Sequence, residues 1–366
     1  MSPDLLYQLS LTLVPNIGDV HAKILIKHFG DARSIFKASQ GILERIEGIG
    51  TVRARSIIEF RNFFLAEEEM KFIEKYKINV LFQTDKDYPQ RLLNCYDSPI
   101  VLFYKGKADL NASKVLAIVG TRSQTEYGKH FTEKLVKDLS EEDILVVSGL
   151  AAGIDAVAHK SALKNNLPTV GVVGHGLDKM YPYEHTGLAK EMVKQGGGIL
   201  TEFFSGNKPD KHHFPLRNRI VAGMSDATVL VETHLSGGSM ITAKLADSYN
   251  RDVFAVPGRA TDKYSTGCNH LIKHNKAILL TDATELMEVL GWKDRQKEKV
   301  SQKELFIELT TEERHIVQLL QENEKMHIDD INLKSVLSSS AVAAAILNLE
   351  LKNVIASLPG KMYQLI

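Results

Sequence analysis

Three kinds of residue in this 366-residue sequence are suited to gripping phosphate. The first is Arg122, which ends the stretch V-L-A-I-V-G-T-R at residues 115–122. A planar guanidinium grips a phosphate bidentately. A glycine turn that stops a strand and feeds a helix aims backbone N–H groups and the positive helix end at whatever lies above. An ordinary surface arginine on a βα loop fits the same residues. The second kind is a set of small-residue loops: S-G-L-A-A-G-I-D at 148–155, G-H-G at 174–176, S-G-G-S at 236–239 and P-G-R at 257–259. Successive N–H groups in such loops form anion nests. The third is K-P-D-K-H-H-F-P-L-R-N-R at 208–219, with four cations and two imidazoles around Phe214. Lysine neutralises phosphate while phenylalanine offers a face to a base. A solvated charge run is the alternative, with Arg217 and Arg219 paired to local carboxylates and Phe214 in a core. His212-His213 lacks a Cys or acidic ligand at useful spacing, so no metal is expected.

These loops need a frame. Lys114 to Val119 holds five apolar residues without alternation, which reads as a strand buried on both faces of a helix-covered parallel sheet. Further short apolar runs lie at 80–82, 100–104, 144–147, 169–173, 199–201, 228–231, 253–256 and 278–280, separated by helix-length segments. That alternation means βαβ units, with a parallel or mixed sheet and helices on both faces. In such a sheet the βα loops share the carboxyl edge, where ligands bind. Residues 4–75 read as all-helical with an approximate repeat, V-P-N-I-G at 14–18 and I-E-G-I-G at 46–50, like helix-hairpin-helix turns. Such turns can offer N–H groups to a DNA phosphate. The second copy carries Arg53 and Arg55, whereas Asn16 replaces a glycine in the first, which leaves that copy a structural role. Residues 292–309 are charged and poorly periodic, a linker. Beyond them Thr310 to Glu313 forms a capping box. Three helices and a hairpin then read as a winged helix. Its presumed recognition helix, residues 341–351, has no basic residue. Groove reading uses Arg, Lys, Asn or Gln, so protein contact or modest backbone contact is favoured there.

Composition narrows the partners. Lys plus Arg and Asp plus Glu both number 45, so a polyanion must be held by a local site. Two distant cysteines point to a reducing compartment and no zinc finger. With no basic, apolar leader and no apolar run of ~20 residues, a cytoplasmic protein off the membrane is expected. A nicotinamide cofactor would require G-x-G-x-x-G after the first strand, and the turn there holds one glycine. No G-x-x-x-x-G-K-[ST] occurs. No cofactor is expected.

The ordered motifs G-T-R (120–122), S-G-L-A-A-G-I-D (148–155), G-L-D-K-M-Y-P (176–182), F-P-L-R-N-R-I-V-A-G-M-S (214–225), S-G-G-S-M-I-T-A (236–243), F-A-V-P-G (254–258) and G-C-N-H-L-I (267–272) resemble the DNA-processing protein A family, DprA/Smf. The resemblance is dense over about 80–290. It implies an extended Rossmann-like core, an N-terminal helical domain of helix-hairpin-helix or SAM-like type, and a C-terminal winged helix. It implies single-stranded DNA binding, loading of the RecA recombinase in natural transformation, a homodimer and no catalytic step. It assigns strand contact to Arg122, Lys211 and Phe214. The wider candidate set adds Arg217, Arg219, Gly120, Thr121, Ser148, Gly149, Gly153, Ser236, Gly237, Gly238, Ser239 and Lys244, and the dimer surface His270, Leu271 and Ile272. Domains are expected at 1–78, 79–291 and 310–366, joined by the linker. Two departures stand out: Tyr183-Glu184-His185 where an Asn-ending loop is usual, and Lys273-His274-Asn275 where Gly-Ala is common. The rival is a Rossmann-like enzyme on a nucleotide or phosphorylated metabolite, with Glu232 or Asp155 as its acid or base.

Overall fold

A computed structural model describes residues 4–292, 309–323, 325–352, 354–358 and 361–365. Met1–Trp292 and Lys293–Ile366 form two compact units. Most of the expected linker lies outside the described residues, as do Pro359 and Gly360.

All nine apolar runs of the first unit are strands: β1 (Asn79–Phe82), β2 (Val101–Gly106), β3 (Lys114–Val119), β4 (Ile144–Ser148), β5 (Thr169–Val172), β6 (Gly198–Thr201), β7 (Ala227–Leu230), β8 (Asp252–Ala255) and β9 (Ile278–Leu279). They form one sheet in the order β1-β2-β6-β5-β4-β3-β7-β8-β9. From β6 to β9 every pairing is parallel, while β2 joins β6 and β1 joins β2 antiparallel. β3 is central because both its faces are apolar. Leu116 and Ile118 pack with Leu135, Val136 and Ile154 of the helices Glu126–Asp138 and Ile154–Lys164. Val115, Ala117 and Val119 pack on the opposite face with Ile220 and Val221 of the helix His213–Gly223, and with Met240 and Ala243 of the helix Gly238–Ser248. β3 also marks the reversal of winding: β4 lies on one side and β7 on the other. Such a switch point opens a crevice at the carboxyl ends of the strands.

The N-terminal six helices share a core with the sheet's antiparallel margin, since Leu9, Leu25, Ile49 and Ile57 cluster with Phe82, Ile100, Val101 and Phe103. Both hairpin turns adopt the same backbone: Asn16 stands at φ 64° and Gly48 at φ 83°. Asparagine tolerates the left-handed region better than other side chains do, so it substitutes for glycine there.

In the second unit the helices Thr311–Glu322, Ile328–Ser335 and Ser339–Leu351 pack on strands β10 (Met326–His327), β11 (Ile355–Leu358) and β12 (Met362–Leu365). The capping box is present, with Thr310 and Glu313 bonding each other's backbone N–H. β10 was not legible in the sequence, being two residues long.

Candidate nucleic-acid interface

The carboxyl ends of β3, β4 and β7 open into a cleft lined by Gly120, Thr121, Arg122, Gly149, Lys211, Phe214, Gly237 and Gly238. They come from four segments of the chain, and neighbouring turns fix one another. Thr121 donates its N–H to Glu232 O at 2.7 Å, and Ile154 donates to Thr121 O at 3.1 Å. Gly153 sits at φ +84° with space for no Cβ, which would lie 2.1 Å from Thr121 O. Only glycine suits both demands. The helix Gly238–Ser248 starts at the cleft wall with no side-chain cap, and an uncapped helix N-terminus favours a negative charge beside it.

Lys211 and Phe214 are three residues apart at the start of the helix His213–Gly223. Lys211 and Arg122 are exposed, while Phe214 is half-buried. The Arg122 guanidinium carbon stands 5.2 Å from the Phe214 ring centroid, a cation–π distance. Tyr181 flanks the same ring at 5.8 Å between centroids, tilted by 38°. Two cations thus stand beside a row of two rings at the cleft and its adjoining pocket, and cations beside aromatic faces are a combination that can take phosphates and bases. His175 supports this strip from below. It is buried, its Nδ1 meets Gly176 O at 2.9 Å, and its Nε2 accepts the Tyr181 N–H at 3.2 Å. Those partners assign the proton to Nδ1, and burial holds the ring below its usual pKa.

The buried ionisable groups around the cleft hold the loops in place. Glu232 accepts from the Thr125 N–H at 2.9 Å and from its hydroxyl at 2.5 Å, which fixes the start of the helix Glu126–Asp138. Asp155 accepts from the backbone of the 148–151 loop, with Ala151 N at 3.4 Å. Burial pushes its carboxyl up while the Arg217 charge pulls the other way. Arg217 lies beneath the loop and donates to Val172 O at 2.5 Å. Burial brings it down to about 10, so it stays cationic at neutral pH. Its guanidinium fills the space beside Gly149, where a Cβ would sit 2.1 Å from Nη1. Glu232 is thus held by backbone and hydroxyl donors, and Asp155 by its loop's backbone and the Arg217 charge. Among the described residues, no group of three or more His, Cys, Asp or Glu is placed to hold a metal, and no single helix is long and apolar enough to cross a membrane.

Residues 79–291 match the family described as DNA recombination-mediator protein A, residues 304–361 the DprA winged helix domain and residues 5–73 a helix-hairpin-helix motif. The chain is 38% identical over 292 residues to protein Smf of Synechocystis, covering 78% of this chain and 72% of that one. To DNA processing protein DprA of Streptococcus pneumoniae it is 40% identical over 204 residues, 56% of this chain and 72% of that one. The chain belongs to the DNA-processing protein A family. The crystal structure of the pneumococcal family member superposes with a TM-score of 0.66 at 32% identity, covering 79% of this chain and 98% of that one. A Helicobacter pylori DprA structure, described for its single-stranded DNA binding mode, gives 0.53 at 29% identity over 59% of this chain and 96% of that one.

In this family member the expected contact set divides. Arg122, Lys211 and Phe214 meet in the cleft with Gly120, Thr121, Gly149, Gly237 and Gly238. Ser236 and Lys244 are exposed but are not among its lining residues. Others are corrected. Arg219 does not face the cleft: it is buried on the other side of its helix, paired with Glu202, with Asp19 at 3.3 Å and bonded to Asp97 O. Arg217 is floor, reachable only at its edge. Ser148 spends its hydroxyl on Ile118 O at 2.6 Å and Ser239 on Thr233 Oγ1 at 2.7 Å. Gly153 acts through backbone shape. Leu271 is not an exposed dimer residue either; it is 5% exposed and packs into its own chain's core, with Ile272 half-buried against that core and His270 exposed. The core cluster reaches around this short helix, so that Leu271 is covered and only Ile272 and His270 stay partly or fully open. Sequence reasoning missed Tyr181 and His175, although both sit within or beside G-L-D-K-M-Y-P. A tyrosine before a proline in a glycine-rich loop was the available signal.

Proposed function

We propose that this chain binds single-stranded DNA across the carboxyl edge of its sheet and delivers it to a RecA-type recombinase during transformation, without chemistry of its own. The observation that carries the reading is the Arg122–Phe214–Tyr181 row with Lys211 beside it. Unpaired bases can stack on an exposed ring, whereas duplex bases are already stacked. The Helicobacter pylori relative's described single-strand binding supports the same reading. Titrating labelled oligothymidine against a blunt duplex and mononucleotides tests it; preference for either of the last two rejects it. Within that experiment Phe214→Ala is expected to cost about 1–3 kcal/mol of oligothymidine affinity with little change in melting temperature. Unaltered binding together with a much lower melting temperature would instead make Phe214 a packing residue.

The dimer is proposed to form at the far end of the sheet. β9 is the sheet's edge strand, reached along the chain directly after the helix that carries His270 and Ile272, and its Ile278 and Leu279 are 41% and 44% exposed. An apolar, unpaired strand edge is a ready site for a second copy. Leu279→Lys should give a monomer that binds long single strands more weakly, because two linked sites no longer share one strand. Sedimentation at micromolar concentration decides: a wild type that is already monomeric rejects the dimer.

A further inference from the structure

We infer that the strand's path continues past the cleft into a second, apolar groove, where its unpaired bases lie against Tyr183. The inference rests on the single-strand reading above. The groove has a volume of about 810 Å³ and runs between the helix Phe64–Tyr76, the helix Thr186–Lys194 and the 177–183 loop. That lies within the ~300–1,000 Å³ of pockets that bury a drug-sized molecule, and a nucleoside is smaller.

Its link to the cleft is Tyr181. This ring flanks Phe214 on one side and lines the groove on the other. A strand leaving Phe214 along Tyr181 therefore meets the groove next. Its walls offer more rings: Phe72 and Tyr76 stand 4.6 Å apart between centroids. Tyr183, two residues beyond Tyr181, is 80% exposed. It shares one groove with Phe72, Tyr76 and Tyr181, and a grouped apolar patch, unlike a lone exposed side chain, marks an interaction site.

Charge points to the same occupant. Lys105, Lys179 and Lys190 edge the groove against one acid, Asp178. That carboxylate is engaged already, accepting from Gly206 N at 3.0 Å and pairing with Lys179 at 3.4 Å. Lys105 is drawn to the carbonyls of Tyr76 and Lys77. Lys190 is exposed, and with Lys211 at the cleft it places cations along both stretches of the path. Aromatic faces with lysines at the margin match bases and phosphates in alternation, whereas a purely apolar peptide would bury its face against these cations.

The test compares oligothymidines of about 5 and about 15 nucleotides, within the ~4–16 nucleotides that single-strand grooves cover. Tyr183→Ala should bind the shorter oligomer like wild type and the longer one about 5- to 150-fold more weakly, the equivalent of losing one stacked base. In Tyr183→Trp, the longer oligomer should quench the new indole and the shorter should not; the native Trp292 is buried and supplies the background. An unquenched indole at saturation, measured by anisotropy, overturns the groove while leaving the cleft intact. So does an equal loss on both lengths, which would mean that Tyr183 acts through the cleft's own shape. Wild-type protein that binds neither oligomer would reject the single-strand reading itself, and the groove with it.

Discussion

Replacing Arg122 with alanine is expected to weaken oligothymidine binding by roughly 10- to 150-fold, the net worth of one hydrogen bond to a charged group. Two losses combine in it. One phosphate contact disappears, which lowers the slope of log K against log salt by about 0.7 for a single strand. The cation that lies over Phe214 at 5.2 Å also goes, so the ring is less firmly presented. Lys211→Ala should show the slope change without the second effect, because no ring contact ties that lysine to Phe214. In the double variant the slope should fall by about 1.4. Arg122 is exposed, so its melting temperature should hardly move. Salt titrations of the three variants decide the matter: unchanged slopes would remove both residues from the strand's path.

Arg219→Met is expected to cost about 3–5 kcal/mol of folding stability while touching no DNA contact. The side chain joins the helix His213–Gly223 to Glu202 and to Asp19 of the N-terminal helices. Removing it leaves the largely buried Glu202 without its cation and takes one from the half-buried Asp19, which keeps Lys23 nearby and the Ile100 N–H at 3.1 Å. Burial already lifts Glu202 to about 7 even with Arg219 beside it, and raises Asp19 as well. A carboxyl whose folded pKa lies above its unfolded value favours the fold when protonated. Its penalty is absent below about 4.5, grows as pH rises towards 7 and is complete above that. Arg219 opposes that penalty, so the variant's deficit should be largest at pH 8 and shrink towards pH 5. Thermal denaturation across that range checks it, with Glu202→Gln added to Arg219→Met as partial rescue. A deficit that grew on acidification would contradict the assignment.

The frame of the molecule was legible because burial on two faces leaves a plain signature. β3 to β8 are short and apolar, and β3, β4 and β5 run into glycine turns, so their number and positions follow from the chain alone. The residues that line the cleft were legible for a related reason: Arg122 and the glycines stand where strands end. What the chain hid were pairings at a distance. Arg217 and Arg219 are two apart and look alike, yet on a helix they point roughly 200° apart. One meets Val172 and Asp155 beneath the cleft, and the other meets Glu202 and Asp19 on the opposite side. Leu271 was misjudged for the same reason, since whether an apolar side chain is covered depends on strands that lie elsewhere in the sequence.

The placement of β3 between β4 and β7 also dictates an order of events at the ribosome. Its first partner follows within about 30 residues, but its second, β7, is made only about 110 residues after β3 ends. At synthesis rates of ~5–20 residues per second, one apolar edge of the future sheet centre stays open for roughly 5–20 s. Such an edge invites pairing with the wrong chain. Nascent chains halted before residue 227 should therefore be bound by holdase chaperones, and chains extended past residue 256, with β7 and β8 complete, should be released.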